Sequence, residues 1–209
     1  GTIQDTLKDK ILEITGEDVR LTGASRTDAG VHALAQVASF GTESLLPVDV
    51  FMRALNAKLP HDIRVLDVEE IGEDFHPRYR AIKKSYFYIL SEDRIASAFL
   101  YRYVWRVGTK LDTDSMKRAA SLIVGEHDFS SFRAAGCSSR HPVRTVYTID
   151  ITRFSELSFM TAAVKGSFMK IRIEANAFLR HMVRNIVGSL VEAGRGKMSI
   201  ETFEHILKS

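Results

Sequence analysis

Hydrophobic and polar positions in the first part of the chain follow two periods, one helical and one extended. Hydrophobic residues from Ile3 to Ile14 recur every three or four positions, a spacing that predicts an amphipathic helix over 3–14. Gly16 follows this helix and is expected to end it, because glycine readily adopts the left-handed conformation of a helix C-cap. The same patterns predict strands over 19–23, 33–40 and 63–71, and a helix that begins at Pro47 and stops before Pro60.

The rest of the chain is richer in aromatic residues and in long extended patterns. Met169, Ile171 and Ile173 alternate with charged neighbours, which predicts a strand with one buried and one solvated face. Helices are predicted where an apolar stripe has cap residues before it or a glycine after it. The segment that ends at Gly194 is an example. These patterns predict strands over 84–90, 99–107, 144–153, 157–164 and 167–175, and helices over 112–125 and 179–194.

The order of these elements predicts an α+β fold with antiparallel sheets, because helices and strands are interleaved and several neighbouring strands can form hairpins. The composition changes near residue 80 from acidic to basic and aromatic. We therefore predict an N-terminal α/β domain over 1–80 and a C-terminal α/β domain over 81–209.

The composition of the 209 residues is that of a globular protein, with 45% hydrophobic and 26% charged residues. No apolar run approaches the roughly 18 residues that would indicate a membrane span. The polar start of the chain lacks the pattern of a secretory signal. Cys137 is the one cysteine, which excludes an intramolecular disulfide and is typical of a reducing cytosol. These observations predict a cytoplasmic protein with no membrane partner.

The net charge of only +3 hides a separation of basic and acidic stretches. Acidic residues cluster at 67–74, whereas none occurs between Asp74 and Glu92 or between Asp128 and Asp150. Such a distribution is expected of a protein that binds phosphate groups, and separate solvated loops would explain it as well. The arginine and lysine residues of the two acid-free stretches are Arg78, Arg80, Lys83, Lys84, Arg133, Arg140 and Arg144.

The stretch GASRTDAGVHA, residues 23–33, combines a turn signal with residues that turning does not require. Ala-Gly after a strand predicts a sharp turn, and Arg26, Asp28 and His32 surround it. A carboxylate there could act as a nucleophile or a base, because a nearby guanidinium keeps it ionised. Spacing alone also fits a turn-capping role for Asp28 and a solvated strand end at Arg26.

Two further places carry side chains that suit RNA recognition. Tyr86 and Tyr88 alternate on a predicted strand just after four basic residues, and exposed aromatics in such places often stack unpaired bases. Arg180 and Arg184 are one helical turn apart beside an apolar stripe, where a guanidinium can meet a carboxylate or a phosphate. Core tyrosines and arginines that snorkel to solvent explain the same patterns.

Motifs for a metal ion or a nucleotide cofactor are missing from the sequence. The seven histidines lack His-Glu-x-x-His spacing, and neither paired Cys-x-x-Cys spacing nor a glycine-rich phosphate loop occurs. Cys137 and His141 are four residues apart, but no third orienting group accompanies them, so a thiol nucleophile has little support. We therefore expect no cofactor and no metal site.

Six sequence blocks follow one another along the chain in an order that chance does not explain. They are RTDAGVHA at 26–33, ALNAKLPHDIRV at 54–65, DFHPRYRA at 74–81, KKSYFY at 83–88, GEHDFSSFRA at 125–134 and ANAFLRHMVRNIVGSL at 175–190. Together they resemble the TruA family of tRNA pseudouridine synthases, and the first block resembles the signature that contains the family's catalytic aspartate. The resemblance extends over essentially the whole chain.

The resemblance implies roles for individual residues. Asp28 matches the catalytic aspartate, Tyr86 the active-site tyrosine, and Arg184 the arginine that pairs with the aspartate. Arg26, within the signature, is similar to the arginine that helps to hold the target base out of the RNA helix. Further RNA contacts are expected from His32, Arg78, Arg80, Lys83, Lys84 and Arg180.

The resemblance also implies a fold, a partner and a substrate. Members of this family have two ferredoxin-like α/β domains whose antiparallel sheets join across a central catalytic cleft. They form homodimers and modify uridines at tRNA positions 38–40, in the anticodon arm. This chain departs from them at Ser25, where the signature usually has glycine, and it looks shortened at both ends. Each sheet is then expected to lack a strand and to expose an edge.

The implied reaction needs no redox cofactor, because it breaks the bond from ribose C1′ to uracil N1 and joins C1′ to C5 of the same base. Ionised Asp28 is expected to act at the ribose, either by adding to C1′ or by supporting a glycal route. Two other functions stay open: a non-catalytic tRNA-binding fragment, and a hydrolase that uses Asp28 to release uracil. The second carboxylate that glycoside cleavage usually requires is not evident in the sequence.

Overall fold

The computed structural model describes residues 1–137, 139–159 and 161–209 of the chain. The contacts within it divide the chain into two compact units, Gly1–Ala81 and Ile82–Ser209, here called unit 1 and unit 2. Each unit has a hydrophobic core of its own.

Unit 1 consists of helices and a short hairpin packed around a small core. Thr2 caps the first helix: its hydroxyl accepts from the Asp5 N–H, and the Asp5 carboxylate accepts from the Thr2 N–H. Gly16 ends this helix with φ +78°, as the sequence predicts. The elements are α1 (Ile3–Thr15), β1 (Thr22–Gly23), β2 (Ala38–Ser39), α2 (Val48–Lys58) and α3 (Pro77–Arg80), with β1 and β2 antiparallel. The core consists of Ile11, Val19, Leu21, Phe51, Leu55 and Leu59.

Unit 2 combines one larger sheet with helices. Its elements are β3 (Lys84–Ser91), β4 (Trp105–Arg106), α4 (Thr113–Ser121), β5 (Gly125–Asp128), β6 (Val143–Phe159), β7 (Ala162–Ala175), α5 (Met182–Gly194) and α6 (Ile200–Lys208). In the described residues the sheet has five strands in the order β4-β3-β7-β6-β5. Its neighbours are antiparallel apart from β3 and β4, which are parallel. The predicted α+β fold with antiparallel sheet is therefore confirmed.

One face of the sheet in unit 2 is buried and the other carries exposed charges. Ile171 and Ile173 of β7 are buried, whereas Arg172 between them is exposed. Met116 of α4 and Phe203 of α6 belong to the same core, so the helices cover the buried face. This arrangement confirms the alternation predicted for β7. None of the helices in the described ranges combines the length and the apolar character that crossing a membrane requires.

The strand predicted over 63–71 is wrong: the structure has irregular chain there, and a side chain binds its backbone at Val65. Nδ2 of Asn56 donates to the Val65 carbonyl at 2.8 Å, and the Val65 N–H donates to Oδ1 of Asn56 at 2.9 Å. The amide thus satisfies both backbone groups of Val65. Alternation of hydrophobic residues does not distinguish a strand from irregular chain that packs against a helix.

The aromatic segment predicted as a strand over 99–107 is mostly a series of turns. The Leu100 N–H donates to the Ser97 carbonyl at 3.0 Å, and the Val104 N–H donates to the Leu100 carbonyl at 2.9 Å. Strand pairing begins at Trp105, the first residue of β4. The prediction is wrong here because alternating aromatics also occur in turns that are anchored by a buried side chain, in this case Leu100.

Other strand predictions differ from the structure in extent. Within 19–23, only Thr22–Gly23 pairs as a strand. Within 33–40, Ala38–Ser39 pairs as a strand and the preceding residues belong to a loop. The range predicted over 157–164 includes the end of β6 and the start of β7, and Met160 within it lies outside the described residues. The hydrophobic pattern did not mark this hairpin, because alternation continues from one strand into the next.

Candidate active site

A loop in unit 1, residues 24–37, carries the turn that the sequence singled out. The Ala24 N–H donates to the Val37 carbonyl at 2.8 Å and joins the two ends of the loop. Nε2 of Gln36 donates to the Ser25 carbonyl at 2.9 Å, one residue further along each arm. Because β1 and β2 pair at its base, the loop is a closed hairpin with an exposed tip.

Asp28 occupies the first position of the turn at this tip. The Val31 N–H donates to the Asp28 carbonyl at 3.2 Å, which makes Ala29 and Gly30 the central residues. Gly30 has φ +81°, a left-handed value that is typical of the third position of a type II turn and favours glycine. The predicted Ala-Gly turn is therefore confirmed, and it leaves Asp28 exposed.

Arg26 and His32 lie on the two sides of this turn and are exposed like Asp28. The loop therefore brings a carboxylate and two basic side chains onto a backbone whose ends are fixed by hydrogen bonds. A fixed backbone presents charged groups to a ligand at a lower entropic cost than a flexible loop. The catalytic role of Asp28 and the RNA-binding roles of Arg26 and His32 stay predictions.

Tyr86 lies in β3 of unit 2, opposite Ile173 of β7. Its ring meets Phe178 edge-to-face, with ring centroids 5.1 Å apart and an interplanar angle of 90°. The residue is half-buried and packs against the core of unit 2. Tyr86 therefore packs against the core while part of the residue stays accessible. A role in the core and a role in stacking on a base are thus compatible.

The segment between β7 and α5 carries Arg180 and leads into Arg184. His181 is the N-cap of α5 and has φ +61°, a left-handed conformation that is uncommon for a residue other than glycine. Arg184 lies in the first turn of α5 and is exposed. Arg180 is exposed as well. Its guanidinium lies beside the backbone of Gly136, with Nη1 3.7 Å from the place where a side chain at that position would begin. The bend at His181 thus separates the two arginines.

Two asparagines that sequence reasoning did not single out fix this segment. Oδ1 of Asn176 accepts from the Thr145 N–H at 3.1 Å, and Nδ2 of Asn185 donates to the Phe132 carbonyl at 2.8 Å. Asn176 precedes Arg180 and Asn185 follows Arg184, so the two asparagines hold both ends of the segment that carries the arginines. They are positioning residues. The sequence contained a signal for them, since both are polar residues inside the largely apolar block 175–190.

The remaining predicted RNA-binding residues are basic and mostly exposed. Arg78 and Arg80 lie on α3 and are exposed. Lys83 is 3.3 Å from Glu174, yet its own side chain is 60% exposed. Arg172 also binds Glu174, at 2.7 Å, so this carboxylate keeps a cation when a phosphate group competes for Lys83. Lys84 is the first residue of β3 and is half-buried.

Cys137 lies in the loop before β6. The N–H groups of Arg180 and Ser139 donate to its sulfur and hold the pKa of the thiol below its ordinary value of 9.0. The first donor belongs to the segment between β7 and α5 and the second to the loop of Cys137 itself, so backbone from two segments lowers this pKa. Among residues 1–137, 139–159 and 161–209, no three His, Cys, Asp or Glu side chains are grouped in a way that could hold a metal ion.

Comparison with known proteins decides the family of this chain. The model of a family described as tRNA pseudouridine synthase matches residues 1–80 and 119–209. The chain belongs to the tRNA pseudouridine synthase family. The resemblance to this family, a family of isomerases, is therefore confirmed.

Individual relatives agree with this assignment. The chain is 40% identical over 208 residues to tRNA pseudouridine synthase A of Thermodesulfovibrio yellowstonii, with 100% of this chain and 82% of the relative covered. It is 43% identical to the protein of the same name from Acetivibrio thermocellus, with 100% and 81% covered. It is 41% identical to that of Neisseria meningitidis serogroup C, with 99% and 74% covered. The chain thus spans between 74% and 82% of the length of these relatives.

The match to the family includes most of the candidate site. Asp28 lies in the first matched range, and Arg180 and Arg184 lie in the second. Tyr86 lies between the two ranges, in a part of the chain that the alignments with whole relatives cover. The family assignment therefore rests on segments from both units.

Proposed function

We propose that this chain isomerises uridine to pseudouridine in the anticodon arm of tRNA, at tRNA positions 38–40, with Asp28 as the catalytic carboxylate. The observation that carries the proposal is the exposed turn from Asp28 to Val31, within a range that matches the family. The relatives named tRNA pseudouridine synthase A support the reaction and the class of RNA.

The reaction is an isomerisation in which every atom of the uridine is kept. The bond between ribose C1′ and uracil N1 breaks, the base turns, and a bond forms between C1′ and C5. N1 gains a proton and C5 loses one, so no oxidant, reductant or energy source is consumed. The protein has to extrude the nucleotide, stabilise the ribose while the bond is broken, and help to remove the C5 proton.

Asp28 is assigned to the ribose step. An ionised carboxylate can add to C1′ as a nucleophile, or it can stabilise the positive charge that develops there as N1 leaves. The turn supports this role because it holds the residue at the exposed tip of a closed loop. Arg26 on the same loop is assigned to holding the base out of the RNA helix, and His32 to an RNA contact.

The other assigned residues bind the base or the catalytic carboxylate. Tyr86 is assigned to stacking on the uracil and to removal of the C5 proton, since part of its ring is accessible. Arg184 is assigned, from the resemblance, to pairing with the catalytic aspartate. Phosphate contacts offset the few kcal/mol needed to extrude a nucleotide. They are assigned to Arg78, Arg80, Lys83, Lys84 and Arg180.

Tyr86→Phe is expected to lower kcat about 100-fold while the dissociation constant for tRNA stays unchanged. Only the hydroxyl is lost, and the ring that packs against Phe178 remains, so unit 2 keeps its stability. Single-turnover rates and filter binding of tRNA measure the two effects. A variant that kept the full rate would show that the hydroxyl has no role in a limiting step.

Release of tritium from C5-labelled uridine in unmodified tRNA tests the proposed function. We expect release in proportion to the pseudouridine formed, because the C5 proton leaves once per turnover. Salt-sensitive binding of tRNA without release would indicate a non-catalytic RNA-binding protein instead. Release of free uracil would indicate a hydrolase.

We also propose that the chain acts as a homodimer in the cytoplasm. The family resemblance supports the dimer, and the single cysteine of the sequence supports a reducing compartment. Sedimentation velocity at two protein concentrations tests the dimer, and a monomer at both concentrations would contradict it.

A further inference from the structure

A stretch that begins shortly after β3 and ends shortly after β4 is basic and aromatic, and none of the roles proposed above uses it. Residues 94–110, here called the crossover segment, contain Arg94, Arg102, Arg106 and Lys110 and no acidic residue. Two carboxylates precede the segment directly, and both are bound within unit 2: Glu92 accepts from Arg153, and Asp93 accepts from the Ser167 N–H. A segment with four basic residues and no acidic one attracts a polyanion.

Four aromatic residues of the crossover segment are exposed. The exposed fractions are 74% for Phe99, 70% for Tyr101, 58% for Tyr103 and 40% for Trp105. Aromatic rings contribute strongly to folding when they are buried. Several rings left exposed within a few residues therefore indicate an interaction surface.

Local hydrogen bonds hold the crossover segment in one shape. The Val104 N–H donates to the carbonyl of the buried Leu100 at 2.9 Å. Nη1 of Arg106 donates to the Arg94 carbonyl at 2.6 Å and closes the segment. Trp105 belongs to β4, which pairs with β3. A ligand that binds to a surface fixed in this way loses little free energy to ordering the protein.

Two arginines and two aromatic residues are among the residues around one shallow depression on this surface. The depression has a volume of about 570 Å³, and Arg94, Tyr101, Trp105 and Arg106 are among the residues that line it. The guanidinium carbon of Arg102 lies 5.4 Å from the centre of the Tyr101 ring, in a cation–π contact. This combination suits a ligand that is both flat and anionic, such as a nucleotide.

We propose that the crossover segment is a second RNA-binding surface, which stacks unpaired nucleotides of the tRNA on Tyr101 and Trp105 and binds their phosphates through Arg94. Aromatic side chains stack any base, because every base has a π face. The phosphates complement the basic side chains of the segment. The inference rests on the proposed function, which supplies tRNA as the ligand, and it adds a contact outside the residues assigned to the reaction.

A second copy of this chain fits the same surface less well. A two-fold interface brings the same patch of both protomers together. Four cations would then face four cations, with no acidic residue in the crossover segment to neutralise them. Such juxtaposition of like charges disfavours association.

Trp105 is the one tryptophan of the chain and therefore reports on this surface by fluorescence. Titration with an unmodified tRNA transcript is expected to quench its emission. Tyr101→Ala is expected to raise the dissociation constant for tRNA about tenfold, whereas Tyr101→Phe, which keeps the ring, binds within about twofold of the parent.

Arg94→Gln tests the phosphate contact. It is expected to weaken tRNA binding and to reduce the slope of log Kd against log salt by about one. Lys117→Gln is the matched control, because Lys117 is an exposed lysine on α4, outside the crossover segment. It is expected to change neither quantity.

The outcomes separate this inference from the proposed function. If the parent forms pseudouridine but Tyr101→Ala binds tRNA as tightly as the parent and Trp105 is not quenched, the inference is overturned and the proposed function stands. If Tyr101→Ala changes the oligomeric state in sedimentation with an unchanged tRNA affinity, the surface binds a second copy and the inference is overturned. If the parent forms no pseudouridine but Tyr101→Ala weakens tRNA binding about tenfold, the RNA-binding surface stands and the proposed function fails.

Discussion

Asp28→Asn is expected to lower the rate of pseudouridine formation by roughly 10⁴-fold or more, while the affinity for tRNA stays within about twofold of the parent's. The substitution keeps the size of the side chain and the turn that the Asp28 carbonyl forms with the Val31 N–H. A neutral amide, however, can neither add to ribose C1′ nor stabilise positive charge there. Single-turnover assays of pseudouridine and filter binding of tRNA measure the two quantities.

Asp62→Asn is the matched control for this experiment. Asp62 is another exposed aspartate of unit 1, and it has no assigned role. The control is expected to react at the parent rate, which would show that loss of an acidic side chain from unit 1 is not itself harmful. If Asp28→Asn kept more than about a tenth of the parent rate, Asp28 would not be the essential carboxylate.

The second large effect concerns stability, at a buried carboxylate in unit 2. Glu92 is 8% exposed, and Nη2 of Arg153 donates to its Oε1 at 2.8 Å. The Leu111 N–H and the Ser167 hydroxyl also donate to this carboxylate, each at 2.7 Å. Burial raises the pKa of the Glu92 carboxyl, but the hydrogen bonds outweigh burial and hold the pKa below its ordinary value of 4.5.

Arg153→Met is expected to lower the free energy of unfolding by about 3 kcal/mol at pH 7, because it leaves the buried Glu92 carboxylate without its cation. In the parent, ionised Glu92 contributes stability above its unfolded-state pKa, and this is lost as the pH falls through the lower folded-state pKa. In the variant, protonation of Glu92 instead removes a buried negative charge that has lost its arginine partner. The difference between variant and parent is therefore expected to shrink from pH 7 to pH 4, as urea unfolding at both pH values would show.

Lys208→Met is the matched control for stability. Lys208 forms an ion pair with Glu204 on α6 of the same unit, and its side chain is 70% exposed. Removal of such a surface pair is expected to change the free energy of unfolding by about 0.5 kcal/mol or less at either pH. If Arg153→Met and Lys208→Met lowered the free energy of unfolding equally, the buried Glu92 carboxylate would have no special importance for stability.

Features that depend on a few adjacent residues could be predicted from the sequence. Gly16 ends α1 with a left-handed φ, as expected from its place after the apolar stripe. The Ala29-Gly30 pair predicts the turn after Asp28, and Gly30 adopts the positive φ that such a turn requires. In both cases a single glycine decides the backbone, so local reasoning is sufficient.

Features that depend on contacts between distant residues could not be predicted. Asn56 binds both backbone groups of Val65, within the range 63–71 where alternation predicted a strand. Similarly, the half-burial of Tyr86 depends on Phe178, which follows a different strand. Hydrophobic patterns show which side of an element is apolar, but they do not show which side chain will cover it.

The most direct test of the proposed function is mass spectrometry of an unmodified tRNA after incubation with this chain, with chemical derivatisation to mark pseudouridine and cleavage to locate it. The proposed function predicts pseudouridine at tRNA positions 38–40 with the parent and none with Asp28→Asn. A tRNA that is bound but contains no pseudouridine, or that has lost uracil, would contradict it.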